Sequence, residues 1–168
     1  MYGAGAEYAL HSMLILATQP APVSISDLAS YQGIPERFLA KIFTRLKRAK
    51  LVKGTEGISG GFVLAKPAEN IHVSELLKAV DPGRSLFACA EIRRNCTLFG
   101  DFPPPWAVVG PCRIHAFMEE AERKLHYFLA SKTLSDLVCE YSCKAPKAFA
   151  AETEVWFHGR KMARTVRR

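Results

Sequence analysis

The sequence predicts a mainly α-helical chain with one small β-hairpin, in the order of a winged helix-turn-helix followed by a long helix. Two observations lead to this fold class. First, three segments with apolar residues at helical spacing precede two short β-like runs joined by a glycine-rich connection. Second, a longer helical pattern follows a proline-rich interruption, and one winged domain offers little surface for such a helix to cover. We therefore expect the long helix to pack against a second copy of the chain.

The first two helices are predicted from their apolar spacing and their ends. Residues 7–18 have apolar side chains at helical spacing and stop before a Gln-Pro-Ala-Pro sequence. Residues 26–31 predict a second, short helix, which Ser26 and Asp27 are suited to cap and which Gly33 ends.

The third helix is predicted over residues 35–50, with Pro35 in its first turn because the missing N–H of proline has no partner there anyway. This helix is amphipathic. Its apolar face carries Phe38, Leu39, Ile42, Phe43 and Leu46. Its other side carries the basic residues Arg37, Lys41, Arg45 and Arg48.

A β-hairpin and a fourth helix come next. Residues 51–55 and 60–65 are β-like, and the glycine-rich stretch between them predicts a hairpin, the wing. Residues 73–80 predict a helix that the Asp-Pro-Gly sequence at 81–83 ends.

The second half of the chain begins with an irregular segment. Residues 84–111 sustain no period. Within them, residues 101–106 (Asp-Phe-Pro-Pro-Pro-Trp) predict a stiff extended piece, because proline fixes φ and restrains the residue before it. A long helix is predicted over residues 112–130. Its apolar stripe consists of Ile114, Phe117, Met118, Ala121, Leu125, Phe128 and Leu129.

The end of the chain offers one more helix signal. Thr133 is suited to cap a short helix over residues 134–141. Residues 144–168 show no clear period, and we expect them to be mobile or weakly docked.

Composition excludes several classes of protein. Of the 168 residues 49% are hydrophobic and 23% charged, which is typical of a globular chain. No signal peptide, membrane-length apolar run, nucleotide-binding glycine loop or nucleophile elbow is evident. We therefore expect a cytoplasmic protein that is not an enzyme and has neither a membrane partner nor a small-molecule substrate. The net charge of +7 is concentrated in residues 34–66 and after Cys143, which favours a polyanion.

The basic third helix predicts double-stranded DNA as that polyanion. In a helix-turn-helix, the first residues of the second helix enter the major groove. Glu36, Arg37 and Lys41 are therefore predicted to face base edges. Arg45 and Lys53 are predicted to face the DNA backbone. The alternative interpretation is a basic surface that meets only solvent.

The wing is a second predicted DNA contact, through Ser59 and Gly60. Glycines there permit φ > 0 and a close approach to the sugar-phosphate chain. A purely structural turn explains the same glycines equally well.

Five cysteines in such a chain indicate metal, redox or core roles rather than a disulfide framework. Cys89, Cys96 and Cys112 lie in or beside the irregular segment, and for them ligation is favoured over core packing. Cys139 and Cys143 are four positions apart and form a second candidate metal pair, but Cys139 falls on an apolar face, which favours core packing.

Residues 6–138, approximately, resemble the Rrf-type winged-helix transcription regulators, a family that includes IscR-like and NsrR-like iron–sulfur sensors. The wing pattern is the most specific part of the resemblance. The likeness is carried by Glu7-Tyr8-Ala9-Leu10, Ile34-Pro35-Glu36-Arg37-Phe38-Leu39, Phe43-Thr44-Arg45-Leu46, Gly57-Ile58-Ser59-Gly60-Gly61-Phe62-Val63-Leu64-Ala65, Leu76-Leu77-Lys78-Ala79-Val80 and Thr133-Leu134-Ser135-Asp136-Leu137.

The resemblance implies a homodimer with crossing long helices and an iron–sulfur cluster, [2Fe–2S] or [4Fe–4S], held by Cys89, Cys96 and Cys112. For a fourth ligand it offers two candidates. One is His115, three residues after Cys112, and the other is Glu7 from the other subunit.

The sequence departs from the family pattern in two places. Cys96 and Cys112 enclose the insertion at residues 101–106, which leaves open that only Cys89 and Cys112 bind. Glu56 stands in the wing where many members carry arginine.

These observations divide the chain into a winged helix-turn-helix domain (1–83), a cysteine-bearing loop (84–111), a dimerisation helix with a short C-terminal helix (112–142) and a basic tail (143–168). The leading hypothesis is a homodimeric transcription repressor. An iron–sulfur cluster would control its operator binding by sensing iron–sulfur status, nitric oxide or redox state. One alternative is a cluster-free regulator switched by thiols or by a small ligand. A second is an iron–sulfur carrier or assembly protein.

Overall fold

The computed structural model describes residues 2–57, 60–83 and 85–166, which form two compact units. The larger unit comprises residues 2–82 and 129–166. The cysteine unit comprises residues 83–128. In the described parts, no helix is long and apolar enough to cross a bilayer.

The elements agree in type and order with a winged helix-turn-helix. In chain order they are α1 (Ala4–Thr18), α2 (Ile25–Gln32), α3 (Glu36–Arg48), β1 (Val52–Thr55), β2 (Gly61–Leu64), α4 (Val73–Val80), α5 (Pro105–Val108), α6 (Arg113–Ser131), α7 (Leu134–Lys144) and α8 (Lys147–Val166). Short 3-10 helices occupy Ala68–Asn70, Ile92–Asn95 and Thr97–Phe99. The predicted fold class, mainly helical with one antiparallel hairpin, is confirmed.

Helix α2 is capped by Ser24 rather than by the predicted residues. The Ser24 hydroxyl accepts a hydrogen bond from the backbone N–H of Asp27 at 3.1 Å. Ser26 and Asp27 therefore lie inside the first turn, and the Asp27 carboxylate is available for other partners. As predicted, Gly33 ends the helix, and its φ of 65° lies in the left-handed region that glycine adopts without steric cost.

Helix α3 is seated by one apolar face. Its buried residues are Leu39, Ile42, Phe43 and Leu46. The prediction that Phe38 shares this face is wrong: Phe38 is 44% exposed and meets the Tyr8 ring edge-on, 5.7 Å between centroids. Pro35 is the N-cap rather than a first-turn residue, so α3 begins one residue later than predicted.

The hairpin is attached to the segment just before α2. Strands β1 and β2 pair antiparallel, and Val23 adds a bridge to Phe62 on the outer side of β2. A Cβ on Gly61 would lie 2.5 Å from the Val23 carbonyl oxygen, so only glycine permits this approach. These contacts fix the wing to the segment that leads into α2 of the helix-turn-helix.

Helix α7 is fixed at its first residue. Leu134 is fully buried, and its N–H donates to the Ile71 carbonyl at 2.8 Å. Thr133 caps the helix as predicted: its hydroxyl accepts from the Asp136 N–H at 3.1 Å. The Asp136 carboxylate accepts from the Thr133 N–H at 2.8 Å in return.

The tail, for which the sequence shows no clear period, contains a regular helix. Residues Lys147–Val166 form helix α8, which buries Thr153 and Phe157. The Tyr31 ring centroid lies 4.9 Å from that of Phe157 and 5.1 Å from that of Trp156. The hydroxyl oxygens of Tyr31 and Thr153 lie 2.8 Å apart. Helix α8 therefore packs on α2.

A buried carboxylate holds α8 against α2. The Asp27 side chain is only 4% exposed, and its Oδ1 lies 3.1 Å from Nε of Arg160. The Arg164 guanidinium pairs with Asp27 Oδ2 and donates to the Ser24 hydroxyl at 2.7 Å. A buried carboxylate without partners would carry a large desolvation cost, which the two arginines offset.

The cysteine unit contains short elements and most of helix α6. The extended piece predicted over residues 101–106 is observed only in part: Pro104 is extended, but Pro105 begins the one-turn helix α5. Trp106 packs edge-on against Phe99, 5.6 Å between centroids. The long helix α6 is present as predicted, and none of its residues is buried.

Replacing Asp27 by alanine is expected to lower the free energy of unfolding by about 1–3 kcal/mol, because Arg160 and Arg164 lose their shared acceptor. Urea unfolding followed by circular dichroism measures the effect. Glu152→Gln, an exposed change on the same helix, is the control and is expected to stay within about 0.5 kcal/mol of the wild type. Wild-type stability for Asp27→Ala would contradict this role of the carboxylate.

Candidate DNA-binding surface and cysteine cluster

The start of helix α3 presents the predicted base-reading residues to solvent. Glu36, Arg37 and Lys41 are all exposed. Their exposure follows from the helical period, because the buried residues of α3 occupy the opposite face. A guanidinium, an ammonium and a carboxylate therefore lie free at the end of α3 that a helix-turn-helix presents to the major groove.

The two predicted backbone contacts differ in their surroundings. Arg45 is exposed at the end of α3, and its Nη1 donates to the Val80 carbonyl. This bond satisfies a carbonyl at the last residue of α4 and ties α4 to α3. Lys53 is exposed on β1.

The wing has a structural need for its glycine. A Cβ on Gly60 would lie 2.4 Å from the Thr55 carbonyl oxygen and 2.8 Å from that of Gly57. The tight connection between β1 and β2 thus accounts for Gly60 whether or not it approaches DNA. Ser59 lies outside the described residues.

Cys112 is placed at the N-terminus of helix α6. Its carbonyl accepts from the Ala116 N–H at 2.9 Å. Hydrogen bonds from the backbone N–H of His115 and of Ile114 lower the pKa of the Cys112 thiol, and the nearby Arg93 charge adds to this effect. The first N–H groups of α6, which have no acceptor within the helix, therefore stabilise the Cys112 thiolate.

Arg93 brings the surroundings of Cys89 and Cys112 together. Its Nε lies 2.7 Å from Glu91 Oε2, and its Nη2 donates to the Gly110 carbonyl at 2.8 Å. The Glu91 hydrogen bond raises the pKa of Arg93, as do the nearby Cys112 and Cys89. The Cys89 Sγ lies 3.9 Å from Glu91 Oε1. Sequence reasoning missed Arg93 and Glu91, whose only signal was their position within the cysteine-bearing segment.

Cys96 is exposed in the same unit. It lines a cavity of about 470 Å³ together with Phe99, Trp106 and Arg93. Among the described residues, no three His, Cys, Asp or Glu side chains form a group able to hold a metal ion. The structure therefore places Arg93 near Cys89 and Cys112 and also at the cavity that Cys96 lines.

The two candidate fourth ligands lie in different units. The Nδ1 of His115 is buried without a hydrogen-bond partner, while its Nε2 lies 3.2 Å from Glu119 Oε1. A buried polar nitrogen without a hydrogen-bond partner is uncommon, and imidazole nitrogens are common metal ligands. Glu7 is exposed in the larger unit, beside a cavity of about 330 Å³ that Tyr8 and His11 also line.

The expectation that Cys139 packs in the core is wrong. Both Cys139 and Cys143 are exposed on helix α7, one turn apart. Because the sulfur of Cys139 does not enter the core, the two thiols remain available to a ligand.

The fold and the basic start of α3 define a winged-helix transcriptional regulator. A family model described as "Rrf2: Iron-dependent Transcriptional regulator" matches residues 2–140. The chain belongs to the Rrf2 family, whose members are transcriptional regulators and not enzymes.

Individual relatives agree with this assignment. The chain is 33% identical over 133 residues to the HTH-type transcriptional regulator IscR of Photorhabdus laumondii, covering 78% of this chain and 74% of that protein. Among solved structures, T. potens IscR has a TM-score of 0.65 at 20% identity, covering 88% of this chain and 93% of that one. CymR of B. subtilis has a TM-score of 0.61 at 22% identity, covering 83% and 97%. These two likenesses confirm the fold.

In the metal-free chain, Cys112 is expected to react with iodoacetamide at lower pH than Cys139. The pKa of Cys112 is lowered by helix N–H groups, whereas the neighbouring Cys143 raises the pKa of Cys139. Peptide mass spectrometry across a pH series measures, for each cysteine, the pH at which its alkylation rate is half-maximal. This pH is the midpoint for that cysteine. Arg93→Gln removes a positive charge near Cys112 and should move the Cys112 midpoint upward while leaving that of Cys139 unchanged. Coincident midpoints for Cys112 and Cys139 would contradict the lowered pKa.

Proposed function

We propose that the chain is a cytoplasmic homodimeric repressor whose binding to an operator is controlled by an iron–sulfur cluster. The observation that carries the proposal is the composition of the cysteine unit: Cys89 and Cys112 share Arg93, and the His115 Nδ1 beside them has no partner. The identity of 33% with an IscR protein supports it. Iron–sulfur status, nitric oxide or redox state is the proposed signal.

The proposed reading of DNA uses the exposed start of α3. Arg37 reads a guanine edge, while Glu36 and Lys41 contact neighbouring bases. Lys53 on β1, Arg45, and the wing residues Ser59 and Gly60 contact the sugar-phosphate backbone. Because Arg45 already donates to the Val80 carbonyl, its remaining guanidinium donors would make the phosphate contact.

The donor types of the cysteine unit fit an iron–sulfur cluster. Cys89, Cys96 and Cys112 supply thiols, and His115 supplies the imidazole nitrogen that lacks a partner. Arg93 provides a positive charge close to Cys89 and Cys112, which compensates the negative charge of thiolate ligands. When bound, such a cluster supplies an iron centre that reacts with oxidants and nitric oxide. We favour His115 over Glu7 because only His115 presents a buried nitrogen without a partner.

Helix α6 supports the proposed dimer. Ile114 and Phe117 belong to the predicted apolar stripe and are 66% and 69% exposed. Large apolar side chains in one stripe favour a covering partner, and a second copy of the same helix satisfies this by symmetry. The chain passes between the two units at residues 82–83 and again within α6, so this helix is one of two covalent connections between the cysteine unit and the larger unit.

Replacing Arg37 by alanine is expected to weaken operator binding by about 1–3 kcal/mol, roughly 5- to 150-fold, while non-specific binding changes little. Fluorescence anisotropy with operator and scrambled duplexes at several salt concentrations measures both. Lys78→Ala, an exposed basic position on α4, is the control and should leave the ratio of operator affinity to scrambled-duplex affinity unchanged. If the wild type bound both duplexes equally, the proposed base reading would be excluded.

Replacing Cys112 by alanine is expected to abolish iron and acid-labile sulfide in protein purified without oxygen. His115→Ala should keep part of the iron and change the visible spectrum, because only the fourth ligand is lost. Cys143→Ala is the control and should retain all of the iron. Full iron and sulfide in Cys112→Ala would exclude the ligand role of that residue.

A cluster-free thiol switch is the second candidate function. Two observations favour it: the described residues contain no ready group of three metal donors, and Cys112 lies at a helix N-terminus, where thiols are reactive. In that case the anaerobic wild type is colourless, and hydrogen peroxide changes operator binding of the wild type but not of Cys112→Ala.

A further inference from the structure

Helix α7 carries two thiols that the cluster does not use. Cys139 and Cys143 are both exposed and project from one face of the helix, one turn apart. The i, i+4 spacing makes the two thiols neighbours on the helix surface rather than isolated side chains.

The charges around this dithiol favour a cation. Cys143, followed by the carboxylates of Asp136 and Glu140, raises the pKa of Cys139. The Asp136 carboxylate accepts from the Thr133 hydroxyl at 3.0 Å and from its N–H, so it supplies charge without being free to act as a ligand. Glu140 lies 3.9 Å from Lys132, a weak partner at the exposed surface. A bound cation would relieve the repulsion among these groups.

The support beneath the pair is rigid. The buried Leu134 and the capping contacts of Thr133 fix the first turn of α7, and Cys139 follows in the second turn. The helix backbone sets the spacing of Cys139 and Cys143, so the two sulfurs need little rearrangement to grip one ion.

The number of donors selects the kind of ion. Zinc sites in proteins use three or four protein ligands, and no third His, Cys, Asp or Glu completes a group with this pair among the described residues. Soft thiolate ligands favour monovalent copper, zinc and iron–sulfur clusters. Of these, monovalent copper is the ion that two sulfurs without further ligands suit.

We propose that Cys139 and Cys143 form a two-thiolate binding site for a soft monovalent cation of the Cu(I) class, separate from the cysteine unit. On binding, the two S–H bonds break and two Cu–S bonds form. Both protons pass to solvent, and copper stays monovalent, so no electron is transferred and no oxidant is required. The proposal does not rest on the proposed cluster or on DNA binding.

The test is anaerobic competition for Cu(I) held by the chelator bathocuproine disulfonate, using the full-length chain. To remove background from the other thiols, Cys89, Cys96 and Cys112 are replaced by serine in every sample. This three-serine variant is expected to withdraw one Cu(I) per chain. Adding Cys139→Ser or Cys143→Ser should weaken Cu(I) binding at least tenfold, because one sulfur cannot chelate.

A spacing control separates chelation from the mere presence of two thiols. In the three-serine background, the pair of changes Cys143→Ser and Lys144→Cys keeps two thiols but moves the second one off the face that Cys139 occupies. This control should bind Cu(I) as weakly as the single-serine variants. Equal uptake by the three-serine variant and the spacing control would overturn the proposal, as would no uptake by the three-serine variant. Circular dichroism confirms that every variant keeps its helices.

The outcome is independent of the cluster. In the otherwise wild-type chain, the double change Cys139→Ser and Cys143→Ser should leave iron and sulfide content unchanged while lowering Cu(I) uptake by one equivalent. Loss of iron in this double variant would place the two thiols in the iron site and would also overturn the proposal.

Discussion

The burial of one face of helix α3 is the constraint on which the larger unit depends. Leu39, Phe43 and Leu46 are almost fully inaccessible, so the rotation of α3 about its own axis is fixed. With a period of 3.6 residues, that rotation leaves Arg37 and Lys41 outside. The chemistry of the DNA-binding surface is therefore a consequence of apolar packing. A substitution in the core that rotated α3 about its axis by one residue would turn its basic face away from the exposed side, although no charged residue had changed.

The parts of the fold that sequence predicts well are those with local causes. The capping of α7 by Thr133, the end of α2 at Gly33 and the bounds of α4 depend on residues within one or two turns. Helix α8 was missed because its packed face mixes threonine, aromatic and arginine side chains. Its period becomes visible only when Asp27 and Tyr31, more than a hundred positions earlier, are known to lie beneath it.

In the cysteine unit, too, the sequence identifies the residues but not how they are arranged. The sequence identifies Cys89, Cys96 and Cys112 as candidates because thiols are rare and chemically specific. It does not reveal that Arg93 reaches the Gly110 carbonyl and thereby gathers two of the three cysteines around one charge. That arrangement depends on a contact across 17 positions in a segment without a period, where no local pattern sets the path of the backbone.

The pairing of Asp27 with Arg160 and Arg164 has a consequence for how the protein is made. Asp27 lies in the second helix, whereas its partners lie in α8, 133 positions or more downstream. While the ribosome is still translating, Asp27 in the nascent helix-turn-helix has neither of its two arginine partners. Docking of the late-emerging arginines is then a closing step with a high contact order, and the winged helix reaches its final stability only after α8 has left the exit tunnel.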